Sequence, residues 1–218
     1  MSPSAVNEIE SKENASPGKA KAGSPPQVQS MGKTKDGRTL RVRKYPSFDK
    51  PESERTYRKQ HLAAAFRVFA DRGFDEGVAG HISVRDPILT DHFYSLRFYK
   101  SHAIYDSFGG VVVDRAEGDR IARALGPHNK AVILQNHGVL TVGQTVDEAA
   151  FWFLSLERTC QAQLLADAAA AAGYAKKYID EEEARYAVQE LGGPEKGWLA
   201  FQPYYDEQVA KTGGSFLK

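Results

Sequence analysis

The sequence predicts an α/β domain, and three features carry the prediction. Two short apolar runs, Ala131-Val132-Ile133-Leu134 and Val139-Leu140-Thr141-Val142, flank Asn136-His137-Gly138 and read as neighbouring strands joined by a tight turn. Ahead of them, Val111 to Val113 form a short strand, and Ile121, Ala122 and Leu125 make the apolar stripe of a helix that Gly126 and Pro127 end. Behind them, Thr145 with Glu148 three residues later is a capping box, and the segment it opens stays rich in Ala, Leu, Phe and Glu to about Ala172, until Gly173 stops it.

The remaining elements fit around this centre. Residues 1 to about 50 mix Lys, Glu, Ser, Gly and Pro with few bulky apolar side chains, which cannot offset the entropy of ordering, so a disordered tail is expected there. From residue 51 to 218 the chain reads as one domain. Leu62, Ala65, Phe66, Phe69 and Ala70 share one helical face, with Gly73 placed to cap the C-terminus. The run from Gly77 to Arg85 is a Gly-rich turn leading into a strand with Ile82 and Val84 on one side. Asp180 to Leu191 reads as a further amphipathic helix. The aromatic end at Trp198, Phe201, Tyr204 and Tyr205 must dock on the core or on a neighbouring subunit. No internal repeat is present, and the alanines from Ala168 to Ala172 are helix composition.

Composition excludes several classes. Hydrophobic residues are 41% and charged residues 26%, and no apolar run approaches the ~20 residues of a bilayer span, so no membrane partner is expected. The net charge of +1, without a basic stripe interleaved with aromatics, argues against nucleic acid. The lone Cys160 rules out an intrachain disulfide framework and a thiolate zinc cluster. In its helical stretch it reads as a small buried thiol without a role. No signal-peptide core is present, and Glu8, Glu10 and Glu13 argue against a mitochondrial presequence, so the expected location is cytoplasmic.

Three stretches in order resemble the class II aldolase/adducin family: Gly77-Val78-Ala79-Gly80-His81-Ile82-Ser83-Val84-Arg85-Asp86 after its helix, Ser107-Phe108-Gly109-Gly110 before a strand, and Leu134-Gln135-Asn136-His137-Gly138 before the long helix. They span residues 55 to 210 and look like the fungal and bacterial adducin-like branch. The resemblance implies a three-layer α/β/α domain. It also implies a Zn²⁺ site of three histidines, with an acidic fourth ligand in the aldolases, and cleavage or epimerisation of sugar phosphates. In that chemistry the dication acts as a Lewis acid on the oxygens of the enediolate. It further implies a homo-oligomer and, through the adducins, an alternative non-enzymatic partnership with actin and the cytoskeleton.

Carried over by residue, His137 matches the third metal histidine. The family's other two form a His-x-His pair, and among His61, His81, His92, His102, His128 and His137 no two are separated by a single residue. The chain passes from Asp86 through Phe93 almost directly to Phe98 and His102, where the family inserts several dozen residues. That missing segment, near residues 93–98, would hold the His-x-His strands, the acidic ligand and a catalytic tyrosine, which leaves the central sheet incomplete. Both flanks keep the family pattern, as an alternative transcript or a misassigned intron would leave them. His92 and His102, ten residues apart, do not replace the pair. The Gly77 to Ser83 loop matches the family's phosphate grip, so Gly80, His81 and Ser83 are the candidate substrate contacts through an anion nest, although His81 stands where the sugar-phosphate aldolases carry Asn. On the residues alone, this loop is equally a plain helix-to-strand turn, and Ser107, Gly109 and Gly110 a tight turn. The expected outcome is a domain that is catalytically inert in this form.

Overall fold

The structure, a computed structural model, describes residues 27–75, 82–84, 101–107 and 115–218. It begins with a hairpin, β1 (Val28–Lys33) and β2 (Thr39–Arg43), paired antiparallel with Val28 opposite Arg43. This corrects the expectation of a disordered tail to about residue 50 for the part from residue 27 onward; residues 1–26 lie outside the described residues. The hairpin closes at Thr34, whose carbonyl accepts from the Gly37 amide at 2.9 Å, and Gly37 has the positive φ of 83° that a tight turn requires. Composition concealed it because it lies in a largely polar stretch and is mostly exposed, and only β2 alternates, through Leu40 and Val42. The hairpin is tied to the helices by Arg43, which donates to both carboxylate oxygens of Asp206 at 2.9 and 2.7 Å, and after it Tyr45 packs edge-on against Trp198 and Phe48 against Tyr57.

Helix α1 (Pro51–Asp71) follows, with proline in its first turn. Its buried positions His61, Ala64, Ala65 and Val68 lie at i, i+3, i+4 and i+7, a single inward stripe. The expected strand at Ile82 and Val84 does not form: these residues are in no regular element, yet both pack on the helical core. The expected strand at Val111 to Val113 lies outside the described residues.

A three-stranded sheet runs in the order β3 (His102–Tyr105), β4 (Ala131–Leu134), β5 (Gly138–Thr141). Strands β3 and β4 are parallel and β4 and β5 antiparallel, with Leu134 opposite Gly138. Helix α2 (Arg115–Leu125) connects β3 to β4 and packs Ile121, Ala124 and Leu125 onto Tyr105, Val132 and Leu134. That cluster occupies one face of the pleat. The alternate residues on the other face include Ala131 and Ile133, and Ile104 there is 66% exposed.

Helix α3 (Val146–Ala171) is capped by Thr145, whose side chain accepts from the Glu148 amide at 3.1 Å. The reciprocal bond of the predicted box is displaced by one residue, since Glu148 Oε2 accepts from the amide of Gln144 at 2.7 Å. The helix ends as expected, with Gly173 at φ 97°. Cys160 is exposed on it, a correction to the buried thiol expected from composition, because the helix outruns its own core at about that point.

Helices α4 (Glu181–Leu191) and α5 (Pro194–Thr212) and a 3₁₀ turn (Ser215–Leu217) complete the chain. The aromatic end docks on its own core through α5: Phe201 is fully buried among Ala65, Val68, Val146, Ala150 and Leu154, which belong to α1 and α3. The described protein therefore has two apolar centres, one between α1, α3 and α5 and one between the sheet and α2. Thr141 Oγ1 of β5, donating to the Ala149 carbonyl of α3 at 2.9 Å, ties the sheet to the helices.

Candidate functional site

Because β3 and β4 run parallel, their carboxyl ends meet at one edge of the sheet, the position at which open α/β sheets bind ligands. The edge is held by the Gln135 amide donating to the Tyr105 carbonyl at 3.0 Å. Beyond β4 the chain turns through Gln135, Asn136 and His137. The His137 amide donates to the Leu134 carbonyl at 3.0 Å, and Asn136 takes φ 60°, a left-handed conformation that asparagine tolerates better than most residues. His137 thus stands at a strand end, as the sequence predicts, and its side chain is exposed. Beside it at the end of β3 are Asp106 and Ser107, both exposed, with Ser107 Oγ donating to Asp106 Oδ1 at 2.9 Å. Beneath them Tyr105 OH donates to the buried Glu117 Oε2 at 3.3 Å, and Arg120 Nε donates to the same oxygen at 2.7 Å.

The described histidines do not converge on this edge. His102 opens β3 and pairs in register with Ala131, so it lies at the amino edge, a strand length of about 10 Å from His137. His128 precedes β4 at that same amino edge and is exposed. His61 is buried in α1. His81 and His92 lie outside the described residues, as do Gly80, Gly109 and Gly110. Of the predicted substrate contacts only Ser83 is described; it is exposed, between Ile82 and Val84, which are seated on the helical core. Among the described residues, no group of three His, Cys, Asp or Glu side chains is arranged to hold a metal ion. The donors described at the His137 edge therefore do not fit a zinc site, which needs three or four converging ligands.

The polar cluster that sequence reasoning missed surrounds His61. Its Nδ1 is 2.5 Å from Asp147 Oδ1 in the first turn of α3, and its ring is stacked between Tyr57 at 3.8 Å and Tyr205 at 4.0 Å. Trp198 Nε1 donates to Tyr57 OH at 2.8 Å, and Gln202 Nε2 donates to the Trp198 carbonyl at 3.0 Å. Burial, reinforced by the negative charge of Asp147, pushes the Tyr205 phenol up to about 12 and the Tyr57 phenol higher still, so both remain protonated. Asp147 Oδ2 is buried without a hydrogen-bond partner, and Asp147 lines a crevice of only about 10 Å³ together with Tyr45, Phe48, Tyr57 and Thr145. A histidine held between two rings and a carboxylate is immobilised, and its place at the meeting of α1, α3 and α5 makes it a brace between helices. A signal was present in the sequence: His61 precedes Ala64, Ala65 and Val68 on the apolar stripe of α1, so it needed a buried partner.

Comparison with known proteins decides the family. The profile described as Class II Aldolase and Adducin N-terminal domain matches residues 60–103 and 95–164. The chain belongs to this family. The class II aldolase profile breaks in two at residues 95–103, beside the junction near residues 93–98. The meiotically up-regulated gene 14 protein of Schizosaccharomyces pombe is 28% identical over 247 residues, covering 95% of that protein but 78% of this chain. An alignment of that length, taking in 78% of 218 residues, runs past several dozen positions at which this class II aldolase-family chain has no residue. The 4-hydroxy-3-prenylphenylpyruvate oxygenase/4-hydroxy-3-prenylbenzoate synthase of Streptomyces roseochromogenus subsp. oscitans is 42% identical over 115 residues. That match covers 53% of this chain and 40% of the relative, so the chain spans about two fifths of that relative's length. Among solved structures, L-fuculose 1-phosphate aldolase from Glaciozyma antarctica PI12 superposes with a TM-score of 0.66 at 28% identity, covering 80% of this chain and 97% of that one. The fold is therefore that of the class II aldolases.

Proposed function

We propose that this chain is a shortened class II aldolase-family protein that neither holds zinc nor turns over substrate, and that a longer product carrying the absent segment is a metal-dependent lyase or epimerase on small hydroxy-carbonyl or sugar-phosphate compounds. The observation that supports this reading is the absent segment: the alignment to the Schizosaccharomyces pombe relative runs past several dozen positions at which this chain has no residue. Of the described histidines, His102 and His128 stand at the opposite edge of the sheet from His137, which the resemblance carries to a metal-ligand position. A single imidazole binds zinc too weakly to polarise a substrate oxygen. Ser83, with Gly80 and His81, remains the proposed anion contact. In this reading the protein is cytoplasmic, in keeping with the lack of any described helix long and apolar enough to cross a membrane.

The test is retro-aldol turnover, with the purified chain supplied with zinc and a panel of phosphorylated and unphosphorylated hydroxy-carbonyl compounds, beside the product of a transcript read through the junction. The shortened chain is expected at the blank rate and the longer product above it. Turnover by the shortened chain overturns the reading. The second reading, a non-enzymatic adducin-like association with actin, is supported by the adducins' place in the same family. Co-sedimentation with actin filaments separates the two.

A further inference from the structure

We propose that the open edge of β2 takes up an acidic, extended peptide as a third strand of the hairpin. Between residues 28 and 44 stand Lys33, Lys35, Arg38, Arg41, Arg43 and Lys44 against the single acid Asp36, whereas the whole chain has a net charge of only +1. The match to the family profile begins at residue 60, so this concentration of cations lies outside it.

Strand register gathers the charge on one side. Arg43 lies opposite Val28, Arg41 opposite Ser30 and Lys33 opposite Thr39. Directly opposed residues share a face of the ribbon, as do alternate residues of one strand, so Lys33, Arg41 and Arg43 form a single cationic row. At the root of that row Arg43 already holds a carboxylate, donating to both oxygens of Asp206 at 2.9 and 2.7 Å. Further out, Lys33 and Arg41 are exposed and have no carboxylate partner among the described residues. The backbone beside them is open as well. The Lys44 amide donates to the Gln27 carbonyl at 2.6 Å, and the Arg38 carbonyl accepts from the Thr34 amide at 2.8 Å, so these residues of the second arm face β1. The direction of the backbone groups alternates along a strand, which turns the N–H and C=O of Thr39 and Arg41 away from β1. No third strand pairs with the hairpin among the described residues.

Charge selects the occupant. An open edge is a template for any strand, and cations placed on it bar neutral and basic ones. A second copy of this hairpin would set cations against cations and is repelled. A strand with a carboxylate at every second position spaces its charges by about 6.8 Å, the spacing of Arg41 and Arg43 along β2. Such a strand adds main-chain hydrogen bonds along the edge to ion pairs on one face. No aromatic side chain stands between residues 28 and 44 for a nucleotide base to stack on, which favours a peptide over single-stranded nucleic acid.

Fluorescence anisotropy of the full chain with a labelled peptide of alternating Glu and Thr tests this independently of catalysis. Binding at micromolar concentration is expected, and a peptide of the same composition with its Glu residues contiguous is expected to bind about tenfold more weakly. Arg41→Glu, outside both apolar centres, is expected to weaken binding about tenfold while the cooperative unfolding of the core persists. Thr39→Pro keeps every charge and removes one outward amide, a position at which an edge strand accommodates proline, and is expected to weaken binding by a similar factor. The proposal is overturned by a wild-type chain that does not bind, by equal affinity for the two peptides, or by an affinity that Arg41→Glu or Thr39→Pro leaves unchanged. Tighter binding of duplex DNA or of phosphatidylserine vesicles than of the alternating peptide overturns it equally.

Discussion

At the scale of single residues, stability depends on polar groups buried in pairs. Removing one partner of a buried hydrogen-bonded pair leaves the other unsatisfied and costs about 1–3 kcal/mol, more where a charge is stranded. Asp147→Ala is accordingly expected to lower stability by about 3 kcal/mol, read as a drop in the denaturant midpoint, because it strands His61 Nδ1 between two aromatic rings. Glu148 makes a pH-dependent contribution. Burial pushes its carboxyl above the ordinary range, against the opposing pull of Trp152 Nε1, the Gln144 amide and the Lys130 charge. The folded protein then binds this proton more tightly than the unfolded chain, so the contribution is complete below about pH 4.3 and is lost as the pH rises through the raised folded value. Glu148→Gln is expected to flatten that part of the profile, measured as unfolding free energy between acid and neutral pH. Space is as tight as charge here: a Cβ at Gly197 would lie 2.8 Å from Glu148 Cγ and 2.8 Å from Trp152 Cζ2. Gly197→Ala is expected to cost about 2 kcal/mol by overpacking.

At the scale of elements, helices α1, α2, α3 and α4 and the β4–β5 pair were readable because their apolar periods and caps are local, whereas β3 (His102–Tyr105) and α5 were not read from the sequence. Thr145 and Gly173 mark the ends of α3 where the sequence puts them. The β1–β2 hairpin was not readable, since only the short alternation of Leu40 and Val42 in β2 breaks an otherwise polar stretch, and Tyr45, which anchors the following residues, meets its partner Trp198 more than a hundred positions away. The strand expected at Ile82 and Val84 failed for the opposite reason: the two apolar residues face a helical core without entering the sheet. At the β4–β5 turn the conformation of Asn136 gives a sharp test. Asn136→Ala should cost about 1 kcal/mol for a left-handed alanine, whereas Asn136→Gly should be tolerated; a thermal melt of each variant measures it.

At the scale of the whole molecule, the chain is a class II aldolase-family domain whose family profile matches in two pieces that overlap at residues 95–103. The position of His137 at the carboxyl edge was readable from Asn136-His137-Gly138. The brace around His61 was not, because Asp147 and Tyr205 reach it from α3 and α5, and no local pattern joins residues so distant in the chain. The two apolar centres explain how the helices and the three-stranded sheet can each hold together around so short a sheet. Metal content tests the central claim most directly: the chain expressed with zinc, dialysed and analysed by elemental mass spectrometry should carry well under one zinc per chain, and His137→Ala should leave that content unchanged. A full equivalent of tightly held zinc that His137→Ala abolishes would contradict it.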